Sequence, residues 1–408
     1  MSLFKDKFFL LCFFSLFSTI LTRINTPLKF VPILVCYIIL FVSFRSYKNL
    51  ELKNRYSKLL LCVYTLYCVF LLLKSIFYDS NNGILGNYVL SLFGNLEFGI
   101  LSLALPVVCI FINEKTILNG YLSTCNLIIY SGIIVGILYA LGVDVSLFVF
   151  ILYLTPYIAP AQLFKKRRIA FLIYIFFSFL YCAVEDERAM LMFNILSLLG
   201  IILYLCFFKK HFYKLFSIGV LATPIVGIML TISNLAPGET FFEELQDKYG
   251  AKSEQVADTR TFLFVELSQD LNSTHTWLIG KGIFGTYFSD VMYNAQRRGD
   301  YSDNADRLGT ECGYLWLILK GGLIYLASYF ILFYWAIIKG IRTKNKFIVC
   351  ISIVLSLRLL IMFISITPRF DVSNIITWLF LIICLIPEKL TSPKFRGYKT
   401  SKIRRLTY

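Results

Sequence analysis

Histidine is almost absent from this chain, which has two among its 408 residues, and charged residues make up only 16%. Histidine is the commonest metal ligand and a frequent general base. His211 lies beside lysines in KKHFYK, as expected at a membrane surface, and His275 falls in a long polar segment where a solvated structural role is expected. The sequence therefore predicts neither a metal site nor another cofactor.

Cysteine shows no spacing that would indicate a disulfide framework. There are 11 cysteines, and all but Cys312 lie inside apolar runs, without a C-x-x-C pair. Scattered cysteines in such runs usually behave as small apolar residues of helices. The sequence thus gives no support for a class of protein that depends on disulfides or on bound metal.

Apolar residues dominate instead. The chain is 58% hydrophobic, with 39 Phe and 26 Tyr, and its mean hydropathy is +0.73. A net charge of +16 would suggest nucleic-acid binding in a soluble protein. Here the basic residues form short clusters between apolar runs, which is typical of cytoplasmic loops of membrane proteins. We predict an all-α polytopic membrane protein that does not bind nucleic acid.

The apolar runs predict about 12 transmembrane helices, since a spanning helix needs roughly 20 mostly apolar residues. They cover 7–22, 30–44, 59–73, 88–112, 117–141, 145–164, 169–184, 189–208, 215–232, 312–338, 347–366 and 372–386. Pro156 and Pro160 predict a kink in the sixth. The domains are then helices 1–9 in 1–232, a large loop in 233–311, helices 10–12 in 312–386, and a basic tail in 387–408.

The basic residues also predict how the chain crosses the membrane. Alternate connecting segments, including both termini, hold 26 of the 40 Lys and Arg residues. The opposite set holds five outside its long loop, namely Arg23, Lys29, Lys74, Arg188 and Arg369. The positive-inside rule places both termini in the cytoplasm and the loop from 233 to 310 outside.

Three charges fall inside the predicted helices. For Glu97 we expect a structural ion pair, and Lys320, about two turns into its helix, can extend toward the membrane surface. Arg358 lies in the middle of ISIVLSLRLLIMFIS, too deep to reach either surface. Charges at such depth usually face a polar cavity or a partner. Arg358 is therefore a candidate for a substrate-holding cavity, with a structural ion pair as the alternative.

The large loop is predicted to contain two helices. GETFFEELQDKYG has capping-box spacing between Thr240 and Glu243, and DTRTFLFVELSQDLN follows with Asp258 as its N-cap. The loop through Glu311 holds 13 acidic and 7 basic residues. Such a surface suits sugars, with an anionic headgroup held at chosen arginines.

Three stretches around this loop resemble the O-antigen polymerase and O-antigen ligase superfamily, over about 150 residues from 183 to 330. They are EDERAMLMFNILSLLGIILYL, TRTFLFVELSQDLNSTHTWLIGKGIFGTYF and ECGYLWLILKGGLIYLASYF. The matching positions are Arg188 and Ala189, then Arg260, Gly280, Gly282 and Gly285, then Tyr314, Leu315, Gly322 and Leu323. Arg298 and Gly309 also reproduce an R-x10-G spacing of external loops in such polymerases.

The resemblance implies a GT-C-like helical bundle and a metal-independent glycosyltransferase of the bacterial inner membrane. Its donor and acceptor would be undecaprenyl-diphosphate-linked oligosaccharides, and a chain-length regulator and a flippase would be partners. Arg188 and Arg260 would hold the diphosphate, with Arg298 as a third cation. Ligases of the superfamily carry His-Asn where the helix resumes, whereas Glu311 and Cys312 stand here. The difference favours a polymerase in which Glu311 is the base.

Other readings stay open at this stage. A ligase is the second candidate and a lipid-linked oligosaccharide flippase the third, although a flippase needs no loop of this length. A structural or sensing membrane protein is the remaining class. In that case Arg188 would pair with Glu185 or Asp186, and Glu311 with Arg307 one helical turn earlier.

Overall fold

The protein is mainly helical over the residues that its computed structural model describes. These are 6–24, 26–44, 54–78, 91–97, 99–113, 117–163, 168–206, 210–235, 261–290, 293, 306–343 and 345–387. Within these ranges the only strands are β1 (Tyr287–Phe288) and β2 (Asp306–Arg307), which pair antiparallel. The predicted all-α class is thus confirmed.

The α-helices follow the apolar runs of the sequence closely. In chain order they are α1 (Lys7–Arg23), α2 (Phe30–Phe44), α3 (Arg55–Tyr78), α4 (Ile100–Leu103), α5 (Ile117–Ala140), α6 (Thr155–Gln162), α7 (Ile169–Val184), α8 (Arg188–Cys206), α9 (Lys210–Leu235), α10 (Thr261–Ser273), α11 (Gly313–Ile341), α12 (Lys346–Ile361) and α13 (Val372–Leu385). Short 3-10 helices cover Leu105–Asn113 and Val149–Leu154.

Six helical segments of the described chain are long and apolar enough to cross a membrane. They are α2 with the turn before it, α3, α5, α8, most of α9, and α11. Shorter apolar helices lie at Val149–Gln162, α7 and α13. The chain therefore has the helices of a multi-pass membrane protein, and the number of about 12 spans stays a prediction.

The predicted fourth span, 88–112, is not one continuous helix. Irregular backbone separates a helical turn at 91–94 from α4, and a 3-10 helix follows α4. The Asn95 side chain accepts the Glu97 backbone N–H at 2.7 Å, a local bond that competes with helix formation. The break places Glu97 in a turn between two apolar pieces rather than inside a helix.

The sixth predicted segment changes helix type where its prolines begin. Val149–Leu154 is a 3-10 helix, and α6 starts at Thr155 with Pro156 in its first turn and Pro160 inside it. Proline is tolerated in a first turn, where its missing N–H has no partner to lose, whereas an interior proline removes a hydrogen bond. The tract is thus interrupted, as its prolines predict.

The longest helix, α11, is broken at Gly322. This residue has φ 69° and ψ −170°, so two helical pieces meet at a kink. The loop at 277–282 inserts there: Lys281 N donates to Leu319 O at 2.8 Å, and Leu323 N donates to Trp277 O at 2.8 Å. The loop therefore satisfies backbone groups that the break exposes, which buried polar groups require.

Gly322 at this break supports a test of stability. A Cβ there would lie 2.3 Å from the Leu278 carbonyl carbon, and the φ/ψ region is one that essentially only glycine adopts. We expect Gly322→Ala to lower the free energy of unfolding by at least about 1–3 kcal/mol, measured as the thermal midpoint in detergent. Gly219→Ala in α9 is the control, because a Cβ there meets nothing within 4 Å. Equal midpoints for the two variants would contradict the packing described here.

Burial divides the bundle into a central and a peripheral part. All residues of α13 except Ser373 are buried, as are most of α12. The outer helices expose large apolar side chains, among them Phe41 of α2, Leu66 of α3 and Met229 of α9. Exposed apolar faces of this kind suit contact with lipid.

Connections that the charge pattern assigns to one side of the membrane contact one another. Arg23 donates to the Ser146 carbonyl at 2.5 Å, and Lys74 donates to the Ile279 carbonyl at 3.1 Å. These contacts bring the predicted external segments together at one end of the bundle. Which end faces the cytoplasm stays a prediction.

Candidate functional site

A cavity of about 510 Å³ lies at the bundle end where these connections meet. Its walls come from α1, α6 and α8, the 3-10 helix before α6, and the connections at 307–311 and 365–373. Its charged lining residues are Glu97, Arg307, Glu311, Arg369 and Asp371. Ile366, a β-branched residue at φ 64°, also lines the cavity, and such strain is often found at functional sites.

Glu311 stands at the cavity beside Arg307. The guanidinium Nη2 of Arg307 lies 3.9 Å from Glu311 Oε1, and the two side chains are 15% and 65% exposed. Arg307 is fixed by β2 and lies over the Phe262 ring at 5.8 Å from its centroid. Its buried Nη1 has no hydrogen-bond partner among the described residues. Because buried polar atoms are normally bonded, this nitrogen is available to an anionic or hydroxyl group of a ligand.

Arg369 also lines the cavity and is held by Asp371. Arg369 Nε donates to Asp371 Oδ2 at 2.8 Å, while Oδ1 of the same carboxylate accepts the Asn374 backbone N–H at the start of α13. Burial acts to raise the pKa of Asp371, but the Arg369 charge and the hydrogen bonds of Ser373 and Asn374 outweigh it, so this pKa lies below its usual value. Asp371 is thus an ionised group that orients Arg369.

Arg358 is fully buried and does not line the cavity. Its Nη2 donates to Asn374 Oδ1 at 2.5 Å and its Nη1 donates to the Tyr157 hydroxyl. Asn374 in turn donates to Asp371 at 3.1 Å. Arg358 therefore reaches the cavity indirectly, through Tyr157 and through the Asn374–Asp371 pair, and its arrangement supports the wall.

Glu97 belongs to the cavity wall, although its sequence position suggested only a structural ion pair. The charges of Arg369 and Lys320 act on its carboxylate. A carboxylate at the cavity wall can accept a proton from a bound hydroxyl group. The cavity thus holds two candidate bases, Glu97 and Glu311.

The remaining predicted charges lie elsewhere. Arg188 forms a two-point pair with Asp186, at 2.7 Å from Nε and 2.6 Å from Nη2, with its side chain 57% exposed. Residues of the same helix that line the cavity are Met190 and Phe193. Arg260 and Arg298 lie outside the described residues, so their predicted roles stay predictions.

Lys320 does not extend to the membrane surface as expected. It is 1% exposed, and its Nζ donates to Gly285 O at 2.9 Å and to Leu308 O. These carbonyls flank the part of the loop around β1 and β2, so Lys320 fixes loop backbone next to the cavity. The loop folds over this side of α11 and buries the lysine.

Sequence reasoning missed Arg369 and Asp371 as cavity residues. The signal was present in TPRFD, where a charged pair stands immediately before an apolar helix and the aspartate has N-cap spacing to Asn374. Fold and site together define a multi-pass helical membrane protein with a charged cavity at one end of its bundle. Comparison with protein-family models, with characterised proteins and with solved structures gives no match.

Proposed function

We propose that the protein is a polymerase of undecaprenyl-diphosphate-linked oligosaccharide repeat units for a surface polysaccharide, acting at the external face of a bacterial inner membrane. The observation that carries the proposal is the cavity that combines the carboxylates of Glu97 and Glu311 with the guanidinium groups of Arg307 and Arg369. Glycosyl transfer from a diphosphate needs both a base and fixed cations. The motif resemblance around Glu311 adds independent support.

In the proposed reaction the carboxylate and the guanidinium groups have different roles. The acceptor hydroxyl oxygen forms a bond to the donor's anomeric carbon while the bond from that carbon to the diphosphate oxygen breaks. The hydroxyl proton passes to the Glu311 carboxylate, and the electron pair leaves with the diphosphate. Fixed guanidinium groups favour the transition state because negative charge grows on the leaving group. Arg307 and Arg369 supply such charge here, with Arg260 and Arg298 as further candidates from the resemblance.

Arg188 and Arg358 take more distant roles in this proposal. Arg188 opens α8 at the same bundle end but is paired with Asp186, so it can meet a phosphate at the headgroup level by exchanging partners. Arg358 holds the wall through Asn374. No step of the proposed reaction requires a metal, because arginine supplies the positive charge and stays protonated at all physiological pH values.

Disruption of the gene tests the function and separates the alternatives. We expect cells without the protein to carry single repeat units on their surface in place of long chains, measured by electrophoresis of the surface polysaccharide. Long chains that remain on the lipid carrier would indicate a ligase. Repeat units trapped on the cytoplasmic face would indicate a flippase, and unchanged polysaccharide would contradict all three.

A further inference from the structure

A second cavity, of about 480 Å³, adjoins the first. The two share four lining residues, Thr19, Glu97, Arg369 and Asp371. The second is otherwise lined by the end of α1, the turn that leads into α2 and the segment at 91–96. The Arg369–Asp371 pair therefore stands between two adjoining spaces and contributes to both.

The two cavities have opposite charge balance. The first has two basic residues and three acidic ones in its lining. The second has three basic residues, Arg23, Lys29 and Arg369, against the acidic Glu97 and Asp371. Asp371 is already engaged by Arg369 and by the start of α13. An anion is thus favoured in the second cavity, whereas the first suits a sugar hydroxyl beside a base.

Arg23 lines the second cavity and is exposed. Its described contacts are with neutral groups, the Ser146 carbonyl at 2.5 Å and the Phe150 ring at 5.3 Å from the centroid. It also interacts with Arg369 as a like charge. Two guanidinium groups that line one cavity repel each other, and a bound anion between them would relieve that repulsion.

The surroundings of this cavity suit an amphiphile. Phe30 lines the cavity, and the neighbouring Leu28 and Val31 expose 63% and 61% of their surface. These apolar side chains lie next to Lys29, so a ligand with a charged head and a hydrocarbon tail meets a cation and an apolar surface at one place. An inorganic anion would contact the cation but not the apolar surface.

We propose that the second cavity binds the phosphate group of a lipid-linked ligand, through Arg23, Lys29 and the shared Arg369. The assignment rests on the proposed function in one respect, since it makes this ligand the lipid diphosphate of a glycosyl substrate. Arg369 would then contact the diphosphate from one side while the sugar occupies the first cavity on the other. The reacting bond would lie at the shared wall.

Binding of radiolabelled undecaprenyl diphosphate to the purified full-length protein in detergent tests the assignment. We expect the double variant Arg23→Gln/Lys29→Gln to bind at least about tenfold more weakly, since two charge-assisted contacts are lost. The matched control is Arg55→Gln/Lys58→Gln, which removes an exposed arginine and lysine at the start of α3 and should bind as the wild type does. Equal binding by the two double variants would overturn the proposal.

Competition by unlabelled compounds distinguishes binding of a free phosphate from binding of a lipid-linked one. Displacement by inorganic pyrophosphate would show that the phosphate chemistry suffices, and displacement only by the unlabelled lipid would show that the tail is also bound. Displacement by undecaprenol, which lacks phosphate, would overturn the proposal. If the double variant does not fold, the single variant Lys29→Glu replaces it, with an expected loss of binding of the same size.

The phosphate site and the proposed function can be refuted independently of each other. Charge-dependent lipid binding without any effect of the gene on surface polysaccharide would refute the proposed function and leave the phosphate site standing. Conversely, a polymerase whose lipid binding is unchanged in Arg23→Gln/Lys29→Gln would refute the site alone.

Discussion

Glu311→Gln is expected to shorten the surface polysaccharide to single repeats, with activity at least about a hundredfold below that of the wild type at equal protein level. Glutamine keeps the size and most hydrogen-bonding capacity of the side chain but cannot accept the acceptor proton. Glu311 lies at the cavity beside Arg307, whose buried Nη1 has no described partner. Loss of the proton acceptor therefore acts on the chemical step rather than on folding.

The competing explanation is that Glu311 only pairs with Arg307. The carboxylate is 65% exposed and 3.9 Å from the guanidinium, and exposed pairs contribute about 0–1 kcal/mol. Glu311→Gln would then leave chain length unchanged. Glu185→Gln is the matched control, because Glu185 is an exposed carboxylate that accepts a hydrogen bond from Tyr139 and lies outside the cavity lining. Full activity of Glu311→Gln together with loss in Glu97→Gln would move the role of the base to Glu97.

Helix positions could be predicted from the sequence because long apolar runs alternate with charged connecting segments. The start of α8 at Arg188 and of α13 at Val372 fall within a residue of their predicted positions. The break at Gly322 could not be read in this way. It depends on the loop at 277–282, whose backbone bonds to α11 from about 40 residues earlier in the chain, and local propensity carries no information on such a partner.

The site was predictable only in part, for the same reason. Glu311 stood out because it stands between a polar loop and the predicted tenth helix. Glu311 and Arg369 line the same cavity although they are far apart in sequence, and no local pattern indicates that they do. Arg358 was recognised as a buried charge, but its sequence position does not show which way the side chain faces. The structure turns it toward Tyr157 and Asn374, behind the cavity wall.

Arg358→Met is expected to lower the free energy of unfolding by about 3–5 kcal/mol, the usual cost of removing one member of a buried charged network. Methionine fills much of the same space but leaves the Asn374 carbonyl and the Tyr157 hydroxyl without their donor. The measurement is the unfolding transition of the purified protein in detergent. Arg342→Met, at an exposed arginine after α11, should change it by only about 0.5 kcal/mol.

Arg358→Lys separates support of the wall from direct binding of substrate. Lysine keeps the positive charge but replaces the planar fork, so it cannot hold Tyr157 and Asn374 in the same geometry. If Arg358 acts through Asn374 and Asp371, the lysine variant should lose part of the stability and lower kcat, because Arg369 is no longer oriented. If Arg358 instead binds substrate, both variants should unfold like the wild type and raise KM. That result would return Arg358 to the cavity and contradict the chain of contacts from Arg358 through Asn374 and Asp371 to Arg369.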